Sequence, residues 1–401
     1  MLNMKRKKTV DSFYYITHSS NLKSILERGI LSHTSVAKQF TQSKTIYDNQ
    51  IVLNRKNKTT PNGKSLWDFT NFYFQPRNPM LYRVLREHPN NGIIVLAIKP
   101  SILNIQGTFI TTGNAANELT NILPASSYKE VAAQIIKGID IEWWNSEDGS
   151  KRKIMAECLV PESVPSNLIQ SIYVSSQKAK HNIEETLNSY DNGNFKQLPV
   201  IVEPETFFLP QKSIRFKNAQ NISFIEGDMF FSRMQTMTIS VNCIGVMGKG
   251  LASTAKYRFP DMYVYYQDLC RNGTLKMGSP YVYKRESSIF TELAEDTNLE
   301  EISEETGFLL FPTKHHWRNN SDINGIEQGL QWLQENYKKE GIKSLAMPAL
   351  GCGLGNLDWQ DVCPLMCDYL KKLDIHVSIY WPASRPFPEG QFYNQDLPSR
   401  N

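Results

Sequence analysis

The rhythm of apolar positions changes about halfway along the chain. In the first half they gather in short isolated runs, at 72–74, 93–98 and 154–160, which predict buried strands. A short helix is predicted over 21–28, stopped by Gly29. The second half predicts strands at 222–226, 238–242, 308–312, 344–347 and 376–381, alternating with helices at 252–258, 323–337 and 362–373. That alternation implies an α/β sandwich. Between the halves, residues 175–220 are polar and then punctuated by prolines, the pattern of a domain end followed by a connector.

A chain of 401 residues is long enough for two domains. We therefore expect a first domain over 1–180, a linker over 181–219, a second domain over 220–387 and a tail over 388–401. The longest apolar stretch, from Gly92 to Ile98, ends at Lys99 and Pro100. It is far short of the roughly 20 residues that a membrane-spanning helix requires. The basic opening has no apolar core behind it, so a cytoplasmic address is expected. Six scattered cysteines form no CxxC pair, so reduced, mostly buried thiols and no metal site are expected.

Charge separates the halves further. Residues 1–212 hold 25 Lys and Arg against 18 Asp and Glu, a net of +7, while the remainder holds 19 against 22, a net of −3. Only the first half suits a polyanion. Its candidate phosphate contact is the run Lys151, Arg152 and Lys153.

Two glycine-rich turns follow apolar strands in the second half, one around Gly248, Lys249 and Gly250, the other at Gly351, Cys352, Gly353 and Leu354. Glycines there let backbone N–H groups approach a diphosphate, and the helix opening at Leu251 would point its positive end at the same charge. Neither loop is a Walker A motif, which argues against a nucleotide triphosphatase. Together with Glu226-Gly227-Asp228, Val241-Asn242, the segment from Phe311 to Trp317, and Leu357-Asp358-Trp359, these loops resemble a macrodomain. The resemblance is to the DarG branch, which removes ADP-ribose from DNA bases, and it covers 221–382. It implies an α/β/α sandwich in which Asp228 holds the adenine, Asn242 the distal ribose and the two loops the diphosphate. Lys314 takes the catalytic position, where an amine beside the anomeric carbon can attack it or protonate the leaving base. Relatives that free protein carboxylates carry an aspartate where this chain has Gly355, so the departure favours the DNA-directed branch. Asp358 reads as a helix cap.

In the first half, Glu157 interrupts the apolar run 154–160, and a carboxylate so flanked is costly to bury unless paired or working. His18 and Asn21 flank the end of a predicted strand, Arg55 lies in a polar stretch, and aromatics surround Arg77 before Met80 and Tyr82. The segments Ile-Thr-His-x-x-Asn-Leu, Phe-Tyr-Phe-x-Pro-Arg-Asn-Pro-Met-Leu-Tyr and Ala-Glu-x-Leu-Val-Pro resemble DarT, an ADP-ribosyltransferase that modifies bases in single-stranded DNA. That resemblance runs from about Tyr14 to Val174. It implies an α+β transferase fold of split antiparallel sheets with helices, which consumes NAD as substrate. Glu157 would stabilise the ribosyl cation, and Arg55 would orient the base or help remove its proton. His18, Asn21, Arg77, Met80 and Tyr82 would bind NAD. Asp68-Phe69-Thr70-Asn71 replaces the family's usual Asp-Tyr-Val-Pro in a base-facing loop.

The two resemblances together imply a fused toxin and antitoxin. The first domain would write ADP-ribose onto single-stranded DNA, with thymine the favoured base and guanine its rival. The second would bind ADP-ribose, erase the mark with water and contact the first domain within the chain. Two alternatives are a macrodomain that only reads ADP-ribose and a transferase that modifies protein.

Overall fold

The computed structural model describes residues 10–39, 44–46, 54–88, 92–190, 195–294 and 305–382. Over these residues the chain divides into two compact units, one of 10–209 with 290–294, the other of 210–289 with 305–382. The expected tail, 388–401, lies outside the described residues.

The first unit is built on strands β1 (Phe13–His18), β2 (Ile30–Leu31), β3 (Phe69–Tyr73), β4 (Ile93–Ile98), β5 (Phe109–Thr111), β6 (Ile122–Pro124), β7 (Glu157–Pro161), β8 (Ser163–Val164), β9 (Ile169–Val174) and β10 (Val200–Val202). Eight of them form one sheet in the order β10-β9-β4-β1-β3-β7-β5-β6, and β2 pairs with β8. All these pairings are antiparallel except β10 with β9. Strand alternation sends Phe13, Phe72, Phe74, Ile110 and Cys158 to one face, where they pack with Ile135 and Ile139 of the helix Tyr128–Ile139. The opposite face holds a smaller apolar cluster of Leu66, Phe69, Phe109, Ala115 and Leu159.

The second unit adds β11 (Lys212–Arg215), β12 (Ile222–Glu226), β13 (Thr236–Asn242), β14 (Tyr281–Lys284), β15 (Gly307–Lys314), β16 (Ser344–Pro348) and β17 (His376–Tyr380). Their order is β11-β12-β17-β16-β13-β15-β14, parallel through the middle and antiparallel at the two edge strands. Parallel strands covered on both faces need apolar residues at consecutive positions, which is why 307–313 is buried throughout. Leu309 and Phe311 pack with the helices Ile323–Asn336 and Trp359–Leu370. Phe308 instead meets Phe259, at 4.7 Å between ring centroids, on the face carrying the helices Gly250–Arg258 and Pro260–Arg271. This is an α/β/α sandwich.

Three expectations change. The strand read at 154–160 begins only at Glu157, because residues Ser150–Ile154 close a helical turn. Much of the expected linker, 181–219, is built into the two units. Ala179, Ile183 and Leu187 form a buried stripe on the helix Gln177–Asn188, β10 extends the first sheet, and β11 edges the second. Residues 290–294, expected within the second domain, group with the first unit. There Phe290 lies 5.9 Å from the Tyr82 ring and the Leu293 carbonyl accepts a 2.9 Å hydrogen bond from Trp144 Nε1. No helix among the described residues is long and apolar enough to cross a membrane.

Candidate active sites

Register across β1, β3 and β7 aligns Tyr14 with Tyr73 and Tyr73 with Glu157. Directly paired residues share a face, so these three side chains stand in a row on the face opposite the main core. Burial pushes the Tyr14 phenol up to about 12, with Tyr173 and Asp11 adding to the shift.

Glu157 is fully buried, and its carboxylate is satisfied from two directions. Arg55 donates to both oxygens, at 3.1 and 2.8 Å, and the Ala115 N–H donates to Oε1 at 2.9 Å. The fork of the guanidinium matches the two carboxylate oxygens, which is the geometry that makes such a pair tolerable away from water. A second ion pair, Lys58 with Glu118 at 3.1 Å, ties the segment bearing Arg55 to the segment bearing Ala115.

His33 borders the same cluster, its ring 5.3 Å from Trp67. Burial, and then the nearby Arg55 charge, lower its pKa to about 4. The imidazole is therefore neutral in the folded chain at pH 7. The unfolded chain takes up a proton near pH 6.5, so stability is complete above that pH and falls as pH drops towards 4. The loss from this group is expected to reach about 3 kcal/mol. Denaturation of the wild type between pH 7 and 4 should be steeper than that of His33→Leu, and parallel curves would exclude the effect.

The expected NAD-binding residues form separate groups. His18 lies four residues beyond Tyr14 on β1, roughly 13 Å along the strand. Its Nδ1 is 2.8 Å from Ser20 Oγ and its Nε2 is 3.0 Å from Lys44 Nζ. Burial, then Lys44 and His88, lower its pKa. Asn21 clamps the Lys44 backbone, accepting from its N–H at 2.7 Å and donating to its carbonyl at 2.9 Å. Arg77 lies 4.8 Å from the Phe208 ring centroid and 3.9 Å from Glu205. Tyr82, on the helix Pro79–Glu87 with the half-buried Met80, is packed between Phe208 and Phe290 and only 3% exposed. The structure thus gives Tyr82 a packing role where a pocket wall was expected.

The basic run also changes meaning. Lys151 is buried on its short helix. Arg152 donates to Thr120 Oγ1 at 3.2 Å, and its carbonyl accepts from Asn114 N–H at 2.9 Å, so it braces the segment that supplies Ala115. Only Lys153 is exposed, because a five-residue helix cannot turn three consecutive side chains to one side.

In the second unit, the C-terminal ends of β13, β15 and β16 lie side by side, and Asn242 is paired in register with Lys314. Crevices at such strand ends are where open α/β sheets bind ligands. The Asn242 amide shapes the first glycine loop, donating to the Val246 carbonyl at 2.6 Å and accepting from Ile244 N–H at 3.1 Å and Tyr266 Oη at 3.0 Å. Gly248, Lys249 and Gly250 are exposed, and Gly250 has φ +63°. A Cβ on Gly250 would lie 3.2 Å from Leu354 Cδ1, so the two loops face each other. Lys314 Nζ reaches across to donate to the Leu354 carbonyl at 3.1 Å, and burial lowers its pKa.

The second loop is less uniform than its sequence suggests. Gly353 and Leu354 are exposed, whereas Gly351 and Cys352 are buried and the Cys352 N–H is taken by the Ala349 carbonyl at 3.2 Å. At Gly355 any Cβ would collide with the Ser321 hydroxyl and the Gly351 carbonyl. An aspartate cannot stand there on this backbone. Asp358 caps its helix, accepting from Gln360 N–H at 2.9 Å. Asp228, just past β12, accepts from Phe230 N–H at 3.0 Å and pairs with Arg258 at 2.8 Å.

Sequence reasoning gave no place beside Glu157 and Arg55 to Tyr14, Tyr73, His33 or the Ala115 N–H. The middle position of Phe72-Tyr73-Phe74 faces away from its neighbours by strand alternation, a signal available in the sequence. The Ala115 donor is backbone and carries none. Among the described residues no group of three His, Cys, Asp or Glu side chains could hold a metal ion.

The family model described as "ssDNA thymidine ADP-ribosyltransferase, DarT" matches residues 14–208, and that described as "Macro domain" matches 307–366. A Thermosipho africanus protein described as a DNA ADP-ribosyl transferase–DNA ADP-ribosyl glycohydrolase fusion is 53% identical over 380 residues, 94% of this chain and 96% of its own length. The solved structure of Thermosipho africanus DarTG in complex with ADP-ribose, also 53% identical, superposes with a TM-score of 0.86 over 95% of this chain and 98% of that one. A DNA ADP-ribosyl glycohydrolase of Mycobacterium tuberculosis is 33% identical over 163 residues, 40% of this chain and 42% of its own. With the likeness running nearly end to end, the chain belongs to the DarT–DarG fusion family, in which a DNA ADP-ribosyl transferase and a DNA ADP-ribosyl glycohydrolase share one polypeptide.

Proposed function

We propose that the first unit transfers ADP-ribose from NAD to thymine in single-stranded DNA, using Glu157 and Arg55, and that the second hydrolyses the product, using Lys314. The observation that carries this reading is the buried carboxylate of Glu157 held by Arg55 and a backbone N–H on the face opposite the core. In the writing step the bond between nicotinamide nitrogen and ribose breaks, and nicotinamide leaves with the electron pair. The ribose ring becomes cation-like at its anomeric carbon, and the carboxylate stabilises that charge through the adjoining hydroxyl. A base nitrogen then forms the new bond and its proton passes to solvent.

Arg55 stays protonated at any working pH, so it acts through its donors rather than as a base. As NAD enters, one of its two bonds to Glu157 can pass to substrate, which frees a carboxylate oxygen for the ribose hydroxyl. An unpaired base is the easier acceptor, because extruding one from a duplex costs a few kcal/mol. The net +7 over 1–212 favours the DNA backbone, and a cytoplasmic setting supplies both NAD and exposed DNA strands.

In the erasing step the two glycine loops receive the diphosphate, Asp228 faces the adenine, and water attacks the anomeric carbon. The bond to the base nitrogen breaks, with Lys314 placed to protonate the departing base. The absence of space for a carboxylate at Gly355 supports protonation or orientation by Lys314 over a lysine adduct resolved from that position.

Mass spectrometry of short single strands after incubation with NAD and the full chain carrying Lys314→Ala tests the reading. One ADP-ribosyl addition is expected on strands containing thymine and none on strands lacking it. Modification of protein with DNA left untouched would overturn it, and a wild-type chain unable to remove the mark would make the macrodomain a reader.

A further inference from the structure

The turn that follows Lys314 presents an exposed tryptophan that neither catalytic step uses. Trp317 is 48% exposed. His316 stacks beside it, with ring centroids 5.4 Å apart and planes at 27°, and the Arg318 guanidinium lies 4.6 Å from the Trp317 centroid. An indole exposed three residues from Lys314 is a candidate contact surface, because Trp joins a large flat apolar face to a polar N–H and is enriched at interfaces.

The turn is firmly anchored. Cys243 N–H donates to the His315 carbonyl at 3.0 Å, and Asn319 N–H to the His316 carbonyl at 3.0 Å. Ser321 N–H donates to the Gly355 carbonyl at 2.9 Å, and Asn356 Nδ2 to Asn320 Oδ1 at 2.9 Å. Both glycine-loop segments therefore hold it, and the indole is presented without much ordering cost on binding.

The charge of its own segment has one sign. Residues 307–321 contain Lys314, His315, His316 and Arg318 and no Asp or Glu. The next acid, Asp322, caps the following helix by accepting from Asn324 N–H at 3.0 Å. Among the described residues Arg318 has no acidic partner. A flat aromatic face beside a free guanidinium is the combination that binds single-stranded nucleic acid, the ring taking a base and the cation its phosphate.

We propose that Trp317 and Arg318 form the DNA contact of the erasing unit. A base flanking the modified one stacks on the indole, and Arg318 swings from the ring to the adjoining phosphate. This inference rests on the erasing activity of the same cleft. It makes the unit a reader of strand as well as of ADP-ribose, so that ADP-ribose on a strand is cleaved in preference to the same group on a lone nucleoside.

The test compares the full chain with Trp317→Ala, Trp317→Phe and Arg318→Glu, without NAD, so that the writer is silent. The substrates are a pre-modified single-stranded oligonucleotide and the equivalent modified nucleoside. With Trp317→Ala, kcat/KM on the oligonucleotide should fall about 10- to 100-fold, the loss of one base stack. Activity on the nucleoside and the Kd for ADP-ribose should stay within about twofold, and Trp317→Phe should restore most of the loss. Arg318→Glu should flatten the salt dependence on the oligonucleotide alone. Equal losses on both substrates, or no loss on either, would overturn the proposal. A wild-type chain that cleaves neither substrate would instead overturn the erasing activity on which it rests.

Discussion

Replacing Glu157 with glutamine is expected to lower DNA ADP-ribosylation by about 10²–10³-fold in kcat, the usual loss for a group aimed at developing charge. Glutamine keeps the size and can still accept from Ala115 N–H, so the geometry of the site changes little. The lost negative charge matters most when the ribose carries positive charge, which is the transition state. NAD affinity should therefore move far less than kcat. The substitution also leaves Arg55, itself 9% exposed, opposite a neutral amide. A buried guanidinium without its carboxylate is destabilising, so denaturation should be measured beside the rate. An unfolded first unit would lose NAD binding altogether, whereas the catalytic effect leaves binding in place. Turnover of NAD at the wild-type rate would exclude Glu157 from the chemistry.

The second large effect is expected from Lys314→Ala, which should slow removal of ADP-ribose from DNA by about 10²–10⁴-fold, the range for a lost acid–base group. Lys314 Nζ lies at the junction of the two glycine loops, where burial lowers its pKa and so makes its ammonium the readier proton donor. The variant should retain ADP-ribose, because Asn242 and the loop glycines are untouched. Modified DNA should accumulate in cells producing it, and the double variant with Glu157→Gln should show no accumulation. Loss of ADP-ribose binding in Lys314→Ala would instead assign the lysine to ligand capture, read by calorimetry.

Carrying both activities on one chain fixes them at equal copy number. The balance between writing and erasing is then set by the two rates and the supply of NAD rather than by relative expression. The two variants above move that balance in opposite directions.

Most elements of the second unit were legible because its strands are buried on both faces. Mostly apolar runs at 222–226, 308–312 and 376–381 could be read without knowing their neighbours, and the glycine loops marked the ends of two other strands, at 242 and 348. The exposed edges were harder. Strand β14, half-buried with Tyr281, Val282 and Tyr283, has no alternation to betray it. In the first unit Glu157 stood out as a charge inside an apolar run and Arg55 was reached through the resemblance, yet nothing in the sequence paired the two or pointed to the Ala115 N–H. Arg55 is 102 positions away and Ala115 is 42, neither lies on a strand, and only the tertiary fold brings them to Glu157.

The sequence by itself determined the two-unit organisation, the strand–helix alternation of the second unit, the glycine loops and the singular acid in the first, since these depend on periodicity and composition along the chain. Tertiary structure alone decided that Lys151 is buried while Lys153 is exposed, that Tyr82 packs between Phe208 and Phe290, and that residues 290–294 group with the first unit. It also decided that Gly355 has no room for a side chain. The reason is that a local pattern reports which way a residue faces, whereas its solvation and its partners depend on distant segments folding over it.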